Sequence, residues 1–369
     1  MNWERKADMS GMRRMQNLMV TGGAGFIGTN FIRYLFDRKD FQGRIINVDK
    51  LTYAGNPANL EDIAESAGDR YRLEKLDICD TAAVLACFKK YGIDAVVHFA
   101  AESHVDRSIM GPKEFVNTNI FGTFSLLEAA RMEWKGQDDT LFHQVSTDEV
   151  YGSLGAEGYF VESTAYSPRS PYSASKASAD HLVRAYHHTY GLPVTLSNCS
   201  NNFGPYQFPE KLVPLMILNM LEGKQLPVYG EGKNVRDWLY VEDHAAAIWK
   251  IITAADVGSS YNVGGETEWR NIDLVRRICE IVAEETGRPL ESFINCIRFV
   301  EDRPGHDNRY AIDCTRIKQE LGWRRSYSFD DALRHTVRWY LEHSDWVKSV
   351  RSGEYRTWID MNYNALNRM

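Results

Sequence analysis

Over the first 150 residues, short apolar runs alternate with stretches of helical spacing. Leu18, Met19 and Val20 form a buried-strand pattern that runs through Thr21 into Gly22-Gly23-Ala24-Gly25-Phe26-Ile27-Gly28. Phe31, Ile32, Leu35 and Phe36 then recur at the interval of an amphipathic helix. Further strands are predicted over 44–49 (RIINVD), 71–77, 95–101 (AVVHFAA) and 141–146, with a helix over 115–132 before the last. Apolar strands separated by helices imply a parallel sheet covered on both faces, the doubly wound α/β arrangement. Past residue 150 the pattern changes. Pro168 and Pro171 lead into a helix over 172–190 and a strand over 194–197. Beyond Gly204-Pro205 come short strands, Gly- and Pro-containing loops and helices near 211–222, 271–286 and 330–345. The expected organisation is an extension over 1–16, a sheet domain over 17–204 to which later segments return, a smaller mixed α/β lobe mainly over 205–345, and a tail over 346–369.

Composition narrows the class without naming a chemistry. The 369 residues carry 43 basic and 50 acidic side chains, a formal charge of −7 with no basic block, which argues against nucleic acid or a membrane surface as partner. No apolar run approaches the roughly 18 residues of a membrane span. The opening MNWERKADMSGMRRMQ has charge but no apolar core, so no export signal is expected. Cys79, Cys87, Cys199, Cys279, Cys296 and Cys314 are scattered, with neither CxxC nor metal-ligand spacing. Reduced thiols, a cytoplasmic location and no metal site are the expectation. His98 reads as a packed strand residue and His187-His188 as a helix face.

The glycine run is the first chemical signal. Gly22, Gly25 and Gly28 stand at a strand-to-helix turn, where glycine permits the turn, a close approach of backbone to a pyrophosphate, and tight helix packing. The helix N-terminus adds free N–H donors and partial positive charge. Asp49 closes the second strand, placed to accept from an adenosine ribose and to repel a 2′-phosphate, which favours NAD. The competing reading is a surface turn beside an unrelated aspartate. In Ser170-Pro171-Tyr172-Ser173-Ala174-Ser175-Lys176, Ser170 is an N-cap and Pro171 a first-turn residue, so Tyr172 and Lys176 share one helix face. A neighbouring ammonium and a positively charged nicotinamide both favour phenolate and are expected to lower the tyrosine pKa. On its own such a pair marks a solvated helix face. Thr147-Asp148-Glu149 follows the fifth strand, where ligands of open sheets bind. One carboxyl can serve as acid and its neighbour as base; the alternative is a solvated turn.

These residues bring a resemblance into view. TGGAGFIG (21–28) with YSASK (172–176) resembles the extended short-chain dehydrogenase/reductase family, whose cofactor domain is Rossmann-type. HFAAESHVDRSI (98–109), STDEVYG (146–152), CSNNFGPYQFPEKLVPL (199–215), NVRDWLYVEDH (234–244) and EDRPGHD (301–307) are similar to its nucleotide-sugar branch, and closely to the dTDP-glucose 4,6-dehydratases. The resemblance covers about residues 17–340. It implies oxidation at C4 of the hexose by tightly bound, recycled NAD, with Tyr172 as base, Thr147 bonded to the same oxygen and Lys176 beside them. Loss of water would follow, with Glu149 taking the C5 proton and Asp148 protonating the C6 hydroxyl, before hydride returns to C6. Implied cofactor contacts are Gly22, Gly25, Phe26, Ile27, Gly28, Asp49, Lys50, Leu51, Thr52, Asp77, Ile78, Ala100, Thr118, Tyr172, Lys176 and Asn202. Implied substrate contacts are Ser103, Thr147, Asn201, Lys211, Leu212, Pro227, Tyr229, Arg236, Asn271, Arg303 and His306. It also implies a homodimer that pairs the helices near 115–132 and 172–190. Arg169 stands where the family often has asparagine, and Trp269-Arg270 where smaller residues are usual.

Other functions fit parts of the pattern. One is another nucleotide-sugar enzyme of the same fold, a UDP- or CDP-glucose 4,6-dehydratase or a 4-epimerase, of which the epimerase would not require Asp148 and Glu149. A non-catalytic NAD-binding sensor would not require Tyr172 and Lys176.

Overall fold

The computed structural model describes residues 13–137, 139–302 and 306–351. Seven strands make the central sheet. In chain order they are β1 (Asn17–Thr21), β2 (Arg44–Asp49), β3 (Tyr71–Lys75), β4 (Ala95–His98), β5 (Leu141–Thr147), β6 (Val194–Cys199) and, after three strands outside this sheet, Ser260–Val263. Their lateral order is Ser260–Val263, β6, β5, β4, β1, β2, β3, with every pairing parallel. The order reverses between β1 and β4, and such a switch point leaves a crevice at the carboxyl ends of the strands.

Alternation along β1 sorts the two faces. Leu18 and Val20 join Phe31, Ile32, Leu35, Ile45 and Val97 on one side. Met19 joins Ile46, Val48, Phe88, Val96, Leu126 and Val183 on the other. The first face is covered by the helix Phe26–Phe36 and also by Ala245, Ile248 and Ile252 of the much later helix Val241–Ala254. The intervening strands are β7 (Asn201–Phe203), β8 (Leu226–Tyr229) and β9 (Val235–Tyr240). With Ser260–Val263 as β10, β11 (Glu268–Arg270) and β12 (Ile297–Val300) complete the set, giving small sheets β11-β9-β7 and β12-β8. A second core fills between the helices Leu212–Leu221, Asn271–Thr286 and Phe329–Glu342.

Some element bounds differ from the sequence pattern. The strand expected over 95–101 stops at His98, opposite the end of β1 at Thr21, and Ala100 N donates to the Thr21 side chain, Oγ1 (3.3 Å), in place of a strand carbonyl. The helix expected over 115–132 is not continuous: a π-helical stretch, Val116–Gly122, precedes Thr123–Glu133. Just past it Thr123 Oγ1 donates back to Asn119 O (2.6 Å). Asn119 Oδ1 accepts from Glu102 N (2.9 Å), while its Nδ2 donates to Ser175 Oγ (2.8 Å). Such widened turns cluster at functional sites.

Candidate active site

A cleft of about 410 Å³ opens at the carboxyl ends of β1, β2, β4, β5 and β6. Every residue of the implied cofactor set except Leu51 lines it. Two glycines are demanded by space. A Cβ on Gly22, whose φ is +70°, would lie 2.7 Å from Ala100 N, and one on Gly28 would lie 2.4 Å from Gly22 O. The helix Phe26–Phe36 can therefore seat against the loop, and its first-turn N–H groups lack intrahelical acceptors. Asp49 Oδ2 accepts from Ala24 N (3.0 Å) and Oδ1 from Leu51 N (2.8 Å), which fixes the carboxylate at the end of β2 with lone pairs to spare. Burial raises its pKa. Lys50 is paired with Asp77 at 2.7 Å, so the cation next to Asp49 turns to a carboxylate. Glycine cradle, free amides and strand-end carboxylate fit a dinucleotide diphosphate.

The catalytic corner is built by two segments. Ser170 Oγ accepts from Ser173 N and Ser173 Oγ from Ser170 N, each at 3.0 Å, a reciprocal cap that starts the helix Pro171–Tyr190. Tyr172 and Lys176 follow one turn apart and both are buried. β5 delivers Thr147, whose Oγ1 accepts from Glu149 N (3.3 Å) and donates to Asp148 Oδ1 (3.4 Å). Thr147, Glu149, Tyr172 and Lys176 line the cleft. Asp148 is only 1% exposed, is not among the lining residues, and its Oδ2 has no hydrogen-bond partner among the described residues. Burial first, then the charges of Glu149 and Asp237, push its pKa well above the ordinary aspartate value.

Of the two cations expected to lower the Tyr172 pKa, Lys176 does not suffice: burial and then Glu149 raise it well above its ordinary value. The Lys176 ammonium donates to Val145 O at 2.8 Å, and burial lowers its own pKa, so it does not offset the desolvation of the phenol.

The implied substrate residues fall into two groups. Ser103, Thr147, Asn201 and Lys211 line the cleft, with Lys211 Nζ donating to Ser103 O (3.0 Å). Asn201 Oδ1 is buried without a partner among the described residues. Leu212, Pro227, Tyr229, Arg236, Asn271 and His306 lie outside the cleft lining, in the second lobe. Tyr229 Oη donates to Asp106 Oδ2 (3.2 Å), and its ring lies 6.2 Å from that of His306. His306 Nδ1 is 2.6 Å from Asp302 Oδ1. The Arg236 guanidinium stacks 4.2 Å from the Tyr310 ring centre and donates to Asp307 O (2.9 Å). Asn271 begins the helix Asn271–Thr286, and its Oδ1 is buried without a partner among the described residues. Arg303 lies outside the described residues.

A second cluster on the cleft wall was missed in the sequence. The Arg107 guanidinium stacks 3.8 Å over the Tyr53 ring and lies 3.3 Å from Glu210, which also accepts from Tyr53 Oη (3.3 Å). Tyr53, Glu102 and Glu210 line the cleft. The signal was present, since Arg107 and Glu102 sit inside HFAAESHVDRSI and Glu210 beside Lys211.

Comparison with known proteins places this geometry. The family model for GDP-mannose 4,6 dehydratase matches residues 19–336. A dTDP-glucose 4,6-dehydratase of Escherichia coli strain K12 is 52% identical over 362 residues, covering 94% of this chain and 99% of the relative. One from Neisseria meningitidis is 51% identical over 351 residues, covering 93% and 98%. Among solved structures, the dTDP-glucose 4,6-dehydratase of Streptomyces venezuelae with NAD and dTDP bound superposes with a TM-score of 0.82 at 44% identity, covering 91% of this chain and all of that one. A Thermotoga maritima UDP-glucose 4-epimerase reaches 0.78 at 27% identity, covering 89% and 99%. The chain belongs to the GDP-mannose 4,6 dehydratase family, with the Rossmann-type sheet of short-chain dehydrogenase/reductase enzymes. Within that class it groups with the dTDP-glucose 4,6-dehydratases.

Proposed function

We propose that this enzyme converts dTDP-glucose to dTDP-4-keto-6-deoxyglucose and water, and that the residues of the catalytic corner divide the proton transfers among them. NAD, which the glycine loop and Asp49 would hold, would supply a reversible hydride acceptor, so that hydride lost from C4 is restored at C6 and no external reductant is consumed. Tyr172 removes the proton from the C4 hydroxyl, which Thr147 also bonds, as the ketone forms. The ketone acidifies C5–H, and Glu149 takes that proton. Asp148 protonates the C6 hydroxyl, which leaves as water, and Glu149 gives its proton back to C5. The carrying observation is the adjacent carboxyl pair, with Glu149 on the cleft lining and Asp148 buried, its pKa raised by desolvation and by Glu149: an acid and a base in adjacent positions, which simple oxidation does not need. The planar Arg236 guanidinium, stacked on Tyr310 and bonded to the carbonyls of Val235 and Asp307, is the group that the resemblance assigns to the diphosphate.

The test is incubation of purified protein with dTDP-glucose and no added reductant. The expected product is the 4-keto-6-deoxy sugar nucleotide; formation of the C4 epimer would remove Asp148 and Glu149 from their roles. UDP- and CDP-glucose run alongside should turn over more slowly.

We also infer a homodimer. Ile109, Met110, Val116, Phe121, Met132 and Tyr190 are exposed apolar side chains on the segments 105–133 and 171–190, more than scattered surface residues supply. Phe121→Glu should shift sedimentation from dimer to monomer, and an unchanged dimer counts against this face. No helix among the described residues is long and apolar enough to cross a membrane. The cysteines are all free, and a reduced, cytoplasmic setting suits them.

A further inference from the structure

The helix Ser344–Val350 belongs to none of the motifs above, yet its Trp346 reaches the glycine loop through one side chain. Trp346 Nε1 donates to Asn59 Oδ1 at 2.6 Å, across a sequence separation of 287 residues. Asn59 is 2% exposed. Its Nδ2 donates to Ala24 O (3.1 Å) and to Thr29 Oγ1 (3.2 Å), and Thr29 Oγ1 donates onward to Gly23 O (3.1 Å). The relay therefore ends on two carbonyls of the loop that leads into the helix Phe26–Phe36, whose first residues line the cleft.

We propose that Trp346 is a positioning residue for the cofactor loop: its indole N–H selects the orientation of the Asn59 amide and thereby sets how long NAD stays bound. The selection follows from donor chemistry. An indole nitrogen only donates, whereas an amide has an accepting and a donating end. With the indole in place, Asn59 must turn its oxygen to Trp346 and its NH₂ to the loop. Reversed, it would set donor against donor at one end and acceptor against Ala24 O at the other. Arg33 holds the Asn59 backbone carbonyl with Nε at 3.1 Å and Nη2 at 2.7 Å, so the residue has little freedom except that flip.

Trp346 is itself firmly seated. Its ring packs 5.0 Å from Trp339 and 6.0 Å from Tyr206, and neighbouring Val347 enters the second-lobe core. Tyr340 on the preceding helix donates to Gln207 O at 2.5 Å, and Gln207 lines the cleft. The C-terminal helices thus touch the cleft from both lobes. The inference rests on the NAD reading above, and the experiment keeps the two apart.

Trp346→Phe preserves the ring contacts and removes the donor, while Asn59→Ser removes the relay. NAD content of the purified proteins, and its exchange rate against a fluorescent nicotinamide dinucleotide analogue, are read with Tm of the NAD-free forms. Trp346→Phe should exchange roughly three- to tenfold faster, the loss of about one hydrogen bond, and adding it to Asn59→Ser should change nothing further. Exchange of Trp346→Phe at the parent rate, or effects of the two substitutions that multiply, would overturn the positioning role. A parent protein that neither retains nor exchanges NAD overturns the cofactor reading instead.

Discussion

The two ends of the cleft are built on different principles. At the proposed cofactor end the geometry offers mostly main chain, a helix N-terminus and the space left by Gly22 and Gly28, with the Asp49 carboxylate at the end of its strand. At the catalytic corner the groups are side chains: Thr147, Glu149 and Tyr172 line the cleft, and Asp148 beside them is buried, its pKa and that of Tyr172 raised by burial and by Glu149. Backbone recognition tolerates most substitutions and fails only where a Cβ cannot fit. Side-chain recognition is vulnerable residue by residue, because each buried polar group depends on its neighbours for charge state and geometry.

That contrast can be broken at the catalytic corner first. Tyr172→Phe and Glu149→Gln should each lower kcat about 10²- to 10⁴-fold, but differently: Glu149→Gln still oxidises C4 in a single turnover, seen as nicotinamide absorbance, and Tyr172→Phe does not. Equal loss of oxidation in both would merge the two roles. Asp148→Asn should cost similar activity while raising Tm at neutral pH. The sign follows from linkage: the folded-state pKa of Asp148 is raised, so the folded protein binds that proton more tightly than the unfolded chain does. Stability from this group is then greatest below the ordinary aspartate value and declines as pH rises through the folded value. For the same reason kcat should fall as pH rises through that value, and Asp148→Asn should lack this limb. A lower Tm in Asp148→Asn would contradict the strained carboxyl. Arg236→Lys keeps the charge but loses the fork and the stack on Tyr310, so KM for the nucleotide sugar should rise about tenfold or more, with a smaller effect on kcat. The smallest effect is at the helix cap. Ser170→Ala should cost about 1 kcal/mol, read as a Tm drop of about 2–4 °C, and leave KM for NAD unmoved.

What could be read from the sequence divides along the same line. The cofactor end is one contiguous strand, turn and helix plus a strand-end aspartate, so local patterns located Gly22, Gly25, Gly28 and Asp49. The seven-stranded sheet followed from the same periodicity, except for its last strand, β10, which arrives from beyond the second lobe. The capped start of the helix Pro171–Tyr190 was equally legible, because Ser170, Pro171 and Ser173 are adjacent. Charge states were not. The rise in the Tyr172 pKa comes from burial and Glu149, and that of Asp148 partly from Asp237 on β9, which no local pattern brings together. The π-helical turn was hidden for the same reason, since Asn119 finds its partners on two other segments, at Glu102 and Ser175. Arg169, a departure from the family pattern, lies 3.6 Å from Asp307, a pairing that only the fold reveals.

The late return of the chain to the central sheet bears on how the protein is made. One face of β1, β2 and β4 is sealed by Ala245, Ile248 and Ile252, and the sheet gains its edge strand only with Ser260–Val263. During synthesis at ~5–20 residues per second, the apolar face of Leu18, Val20, Ile45 and Val97 stays partly uncovered until the helix Val241–Ala254 emerges. A nascent chain stalled before that helix would leave this apolar face partly exposed, the condition under which aggregation competes with folding.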